Sequence, residues 1–292
     1  MNGIALNFLN LLSNELKGRK NMGASTCKLL DVGCGRGELL FFLYERLAMS
    51  FPEIDFQFSG LEIEGYGAGN EYLKQMNSAS REKYGERGIH FSVIREADDE
   101  WPYEAHSFDF VISNQVLEHV ADKEHFLARI KASLKPGGLN INSFPSAKSW
   151  MEPHLGLPRV HKTNDYFRVI ARIKFWSRVF GRLFNEHKAH VPELSRDTYA
   201  RYQADYLLFH THYISAVEFL ELNKRLGLKA YTSGNSDLLA YYLFKQFRDT
   251  SIIRVLSSLI PETVATATLE RLASPFYVSS GLNSKRLGRL GP

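Results

Sequence analysis

LLDVGCGRGELL, residues 29–40, decides the fold. Apolar residues run up to Asp31, glycines stand at 33, 35 and 37, and a helix-like apolar segment begins at once. A strand, a tight turn and a helix start are thus joined with no spacer. Glycines in the turn tolerate positive φ and let a ligand approach the backbone, while the helix start offers free N–H groups. A dinucleotide fingerprint of the G-x-G-x-x-G type does not fit, because counting from Gly33 and Gly35 the closing position is Glu38, a bulky acid. The pattern is D-x-G-x-G-x-G, with the Asp31 carboxylate just ahead of the loop. Such an acid repels phosphate and attracts an amino group or a sulfonium, so the expected ligand is cationic.

Outward from this turn, short apolar runs alternate with helical patterns from about residue 28 to 147, the signature of βαβ units in a parallel sheet. KLLDV, FQFSGLEI, HFSVIREA, FDFVISNQ and LNINSFP read as five strands. GELLFFLYERLAMS, EYLKQMNSASREKYGE and HFLARIKASL read as helices, the last closed by KPGG. Glu62, at the end of the second strand, is placed to accept hydrogen bonds from ribose hydroxyls. Asp98 or Asp99, after the third strand, could hold an adenine amino group, and the fourth strand ends at Asn114 and Gln115.

LLDVGCGRGELL, the acid in GLEIE, DDEWPYEAHSFDFVISNQVLEHV and LKPGG together resemble the class I S-adenosylmethionine-dependent methyltransferases, over roughly residues 28 to 145. The resemblance implies an α/β fold: a doubly wound, mostly parallel seven-stranded Rossmann-like sheet with a reversed final strand, and a helical cap inserted after strand five. It implies S-adenosyl-L-methionine as cofactor. Asp31, Gly33, Cys34, Gly35 and Gly37 then surround its aminoacyl part, Glu62 holds the ribose, and Asn114 with Gln115 borders the methyl donor. The acidic run at Asp98 and Asp99 is offset by a residue from the common pattern. His119 of LEHV reads as structural. Residues 148–212 break the α/β rhythm with prolines at 153, 158 and 192 and six of the ten histidines, and the pattern resumes after them, so the chain is expected to divide into a core at 1–147, a substrate-recognising cap at 148–212 and a completion of the core at 213–292.

In an open α/β sheet the ligand crevice lies outside the carboxyl ends of the strands, so the acceptor is expected to meet the segment after strand five, SFPSAKSWMEPHLGLPRVHK. Transfer to a hydroxyl requires that its proton be removed, work suited to an imidazole near neutral pH. His154 is the first candidate base and His161 the second. A metal set of Glu152, His154 and His161 matches no recognised spacing, and no metal is expected. PHLGLPRVH resembles methyltransferases of bacterial surface-polysaccharide assembly, which implies O-methylation of a sugar or a glycan-linked phosphate. A phenolic or quinone-like small molecule is the alternative acceptor, and a non-catalytic cofactor-binding module the alternative class.

The formal charge of +4 is too mild for a nucleic-acid protein, and SNQV stands after strand four where an N-P-P-Y motif would be. Residues 165–184 read as one helix. Arg168, Arg172, Lys174, Arg178 and Arg182 fall within an arc of about 160°, and Phe167 and Phe175 share that arc. The segment is expected to pack on its own domain, with peripheral contact to an anionic membrane as the further expectation. The opening residues read as an amphipathic helix rather than a signal peptide, and no run approaches a membrane span. Two cysteines, Cys27 and Cys34, too close to staple the fold, point to a reducing cytoplasmic setting.

Overall fold

The computed structural model describes residues 3–21, 23–64, 70–85, 88–244 and 257–281. Its centre is a seven-stranded sheet built from β1 (Thr26–Val32), β2 (Asp55–Ile63), β3 (Ile89–Ile94), β4 (Phe108–Asn114), β5 (Leu134–Ser143), β8 (Leu228–Thr232) and β9 (Phe276–Gly281). The order is β3-β2-β1-β4-β5-β9-β8. β9 runs antiparallel to both β5 and β8, and the remaining neighbours are parallel, so the reversed strand implied by the resemblance is present. The chain order turns back between β1 and β4, which opens a crevice beyond their carboxyl ends.

Central strands covered on both faces read as continuous apolar runs. Leu29 and Phe110 face one apolar cluster with Phe8, Leu12 and Leu43, while Leu30 and Val111 face a second with Leu127 and Phe219. The helices among the described residues are α1 (Gly3–Lys20), α2 (Glu38–Ser50), α3 (Asn70–Tyr84), α4 (Lys123–Ser133), α5 (Tyr166–Val179), α6 (Arg182–His190), α7 (Arg196–Phe209), α8 (Ala216–Arg225), α9 (Asn235–Phe244) and α10 (Glu262–Leu272). Side chains begin several of them: Asp122 caps α4, Asp165 caps α5, Ser195 caps α7, and Ser215 with Glu218 forms a capping box on α8.

After β5 a short hairpin, β6 (Met151–Glu152) and β7 (Leu157–Pro158), leads into α5, α6 and α7. This part has its own apolar cluster, with Leu157, Val160, Val169, Ile173, Phe184 and Tyr199 buried together.

Two expectations need correction, and one helix was not foreseen. The single helix over 165–184 is two, because the chain breaks at Phe180 and Gly181, where a Cβ on residue 181 would stand 2.6 Å from the Ser177 carbonyl. KPGG is not an external stop: α4 ends at Ser133, and residues 135–138 lie inside β5, with Gly137 at φ +78 and a register shift opposite Phe108 and Phe110. α9 carried no expectation. The basic tail SKRLGRLGP lies outside the described residues.

Candidate active site

The glycine turn sits where the topology opens the crevice. Gly33 and Cys34 donate their N–H groups to the Leu61 carbonyl, at 2.8 and 3.2 Å, which ties the turn to the end of β2. Glu62 completes the tie: its Oε2 accepts from the Gly35 N–H at 2.6 Å and its Oε1 from the Ile63 N–H at 2.9 Å. Each carboxylate oxygen keeps a further lone pair, so Glu62 shapes the loop and can still accept from a ligand.

The three glycines have different reasons to be glycine. All have positive φ, but a Cβ on Gly33 would strike Val116 at 2.3 Å and one on Gly37 would strike Phe91 at 2.6 Å. A Cβ on Gly35, at φ +55, would meet nothing within 4 Å. Gly33 and Gly37 are therefore set by packing, and Gly35 borders open space. Cys34 is buried, and burial with the charges of Asp31 and Glu62 pushes its thiol far above its usual range, so it stays protonated.

Asp31 is 2% exposed and its Oδ1 has no hydrogen-bond partner among the described residues. Burial, with the Glu62 charge adding to it, pushes this carboxyl well above the ordinary carboxylate range. Asn114 likewise has a buried Oδ1 without a partner. The other expected cofactor residues are differently engaged. The Asp99 carboxylate accepts the N–H groups of Arg95 and Glu96 within its own exposed loop, so it is already used there. Asp98 is exposed, and its carbonyl, like that of Asp99, accepts from Arg129. Gln115, at φ +58, gives its amide to Ser274 Oγ at 2.9 Å.

His154 and His161 belong to different surroundings. His154 Nδ1 lies 2.8 Å from Glu152 Oε1 and 2.9 Å from the Tyr213 hydroxyl. Glu152 is fully buried and also accepts from the Leu155 N–H and the Tyr213 hydroxyl. Burial opposes a charge on His154, but the Glu152 hydrogen bond and charge outweigh it and raise its pKa. Among the described residues neither ring nitrogen of His161 has a hydrogen-bond partner, and burial, then the Lys162 charge, lowers its pKa to about 4. His161 borders a cleft of about 1150 Å³ between cap and core, whose walls include Tyr166, Val169, Leu207, Phe209 and Ile214. None of the donor-loop residues lines that cleft.

The set of Glu152, His154 and His161 is not what converges. His119 and Glu118, from the 3-10 turn Leu117–His119 after β4, come together with His154, the two imidazole rings 5.1 Å apart. Glu118 is 1% exposed with both carboxylate oxygens unpartnered, and burial pushes it up to about 7. This turn abuts the glycine loop, since Val116 is the side chain over Gly33. Only the LEHV motif signalled it in the sequence, and nothing there paired it with a histidine 35 residues further on, at 154.

A family described as "Methyltransferase domain" matches residues 5–233. Among curated proteins, the ubiquinone biosynthesis O-methyltransferase of Bradyrhizobium sp. is 34% identical over 125 residues, covering 41% of this chain and 40% of that protein. The norajmaline N-methyltransferase of Rauvolfia serpentina is 26% identical over 152 residues, covering 50% and 45%. The chain thus spans less than half the length of the curated relatives it matches. Among solved structures, PKMT2 from Rickettsia typhi superposes with a TM-score of 0.49 at 16% identity, covering 89% of this chain and 49% of that one.

Proposed function

The chain belongs to the methyltransferase domain family, and from that premise we propose that it is an S-adenosyl-L-methionine-dependent methyltransferase acting on a hydroxyl of a small acceptor. The observation that carries the reading is the glycine loop: an open approach at Gly35, beside a buried Asp31 carboxyl whose Oδ1 has no partner among the described residues, and a Glu62 with acceptor capacity to spare. A cationic amino acid head meets Asp31, a ribose meets Glu62, and a polyphosphate would meet two acids. When bound, the cofactor supplies an electrophilic methyl group. The chain itself excludes water, aligns the acceptor and handles its proton.

The finer identity of the acceptor shifts. The apolar and aromatic residues in the wall of the cleft, Tyr166, Val169, Leu207, Phe209 and Ile214, support a ring-like molecule bearing a hydroxyl over a sugar or a glycan-linked phosphate, its reacting group reaching past the cleft to His154 and the donor loop, neither of which lines it. The name of the Bradyrhizobium relative supports an oxygen acceptor. Within this reading the cap, residues 148–212, recognises the acceptor. His154, oriented by Glu152, serves its reacting group, and His161, held neutral, lines its approach.

No described helix is long and apolar enough to cross a membrane. Peripheral contact is part of the proposal: α5 exposes Phe167, Phe175 and Val179 beside its arginines, next to Phe180.

The deciding experiment presents phenolic, quinol, sugar and nucleotide-sugar acceptors to the full chain with methyl-labelled S-adenosylmethionine. Label in a phenolic or quinol product, lost in His154→Ala with cofactor binding retained, is the expected result. Label in sugars alone would overturn the acceptor assignment, and cofactor binding without transfer to any class would leave a binding module.

A further inference from the structure

Glu118, His119 and His154 each direct one ligand-type atom into a common space, and those atoms lie within 4.8 Å of one another. The protonation pattern of the rings is set from behind. His119 Nδ1 lies 3.0 Å from the His210 carbonyl, which can only accept, so the proton sits on Nδ1 and the Nε2 lone pair is left free. Glu152 does the same for His154 through Nδ1 at 2.8 Å. A histidine whose outer N–H is held by a carboxylate or a carbonyl is the usual arrangement behind a metal-bound imidazole.

Glu118 supplies the second, independent observation. Its carboxylate is buried and, among the described residues, without a hydrogen bond on either oxygen, although its backbone carbonyl is used by the His212 N–H at 2.6 Å. The Lys123 ammonium, the charge that could have answered it, donates instead to the Val120 carbonyl at 2.6 Å. A buried carboxylate left without a partner is an unmet demand for positive charge.

We propose that Glu118, His119 and His154 bind a divalent first-row transition-metal ion. Two imidazoles and one carboxylate suit zinc, manganese or cobalt better than magnesium or calcium, which favour all-oxygen sets. Three protein ligands leave coordination positions open, and the turn that carries two of them touches the glycine loop through Val116 and Gly33. An acceptor hydroxyl bound at an open position loses its proton to water more readily, because the ion stabilises the oxyanion. That consequence rests on the methyltransferase reading, whereas ion binding does not. His154 is then a ligand, and the ion takes over the work expected of a free base.

The test uses the full chain, stripped with a chelator and titrated separately with Zn2+, Mn2+ and Co2+ by calorimetry, with visible absorption followed for Co2+. One ion per chain is expected. Affinity should fall at least tenfold in Glu118→Gln and in His154→Gln, and roughly 10- to 100-fold in Glu152→Gln, which removes the support of His154. His187→Gln, on α6, should leave it unchanged. Circular dichroism and S-adenosylmethionine binding on each variant report whether the fold and the donor site survive. Failure of all three ions to bind, or binding indifferent to both Glu118→Gln and His154→Gln in folded protein, overturns the proposal. Cofactor binding without ion binding would sink the metal site alone, and ion binding without cofactor binding would sink the methyltransferase reading alone.

Discussion

At the scale of residues, chemically identical glycines should fail differently. Gly35→Val places a side chain in the open approach, so cofactor binding measured by calorimetry should be lost while the thermal transition shifts only by the cost of a β-branched residue at positive φ, about 1–2 kcal/mol. Gly33→Val instead collides with Val116 and should lower stability before binding can be tested. Asp31 makes a pH prediction. Its folded-state pKa is raised by burial and by Glu62, so near and below that value the free protein carries the proton. A cationic ligand favours the ionised form, so binding releases a proton and affinity should rise with pH above the ordinary carboxylate range. Affinity measured against pH should flatten in Asp31→Asn, and a wild-type affinity independent of pH would remove Asp31 from contact with a cation. The same raised pKa makes Asp31 a cost to the fold as pH increases, a cost that ligand binding offsets.

At the scale of elements, α5 shows how far a helical wheel carries. The wheel drawn over 165–184 places Phe180 and Phe184 on one continuous apolar face. The break at Gly181 makes Phe184 the buried residue of α6 and leaves Phe180 at 45% exposure. Val169, Ile170 and Ile173 still turn inward within the cap, as the periodicity required. Phe167 at 76% and Phe175 at 56% exposure stand among Arg168, Arg172 and Arg178, an apolar and basic surface suited to an anionic interface. Sedimentation with vesicles containing acidic lipid should carry down the wild type, less so at high salt and less so for the Arg172→Glu, Arg178→Glu double variant. Equal recovery of both proteins in the supernatant would leave α5 as a cap helix only.

At the scale of the whole molecule, one carboxylate joins distant parts of the chain. Asp109, the acid of SFD, pairs with Arg19 of α1 at 3.0 Å and Lys135 of β5 at 2.7 Å, and accepts the Lys28 N–H of β1 at 2.9 Å. Arg19 also lies over the Phe110 ring, 4.5 Å from its centroid. Removing one member of a largely buried network leaves the others uncompensated, so Asp109→Ala should cost roughly 3–5 kcal/mol in denaturant melts. A loss below about 1 kcal/mol would show that the clamp is screened by solvent.

This network marks the boundary between what the sequence by itself determined and what only the tertiary structure decided. Local spacing determined the strands of the central sheet, apart from the KPGG residues that open β5, together with the glycine turn and the positions of Asp31 and Glu62, because apolar alternation and positive-φ glycine are written in neighbouring residues. The sheet order with its reversed strand was legible through the resemblance. The break of the cap helix, the hydrogen bonds of Asp99 within its own loop and of Gln115 to the distant Ser274, and the meeting of Glu118 and His119 with His154 were not. Each depends on which side chains from separate elements share one small space, and that is settled when the hairpin after β5 folds over the end of β4, a juxtaposition no local pattern encodes.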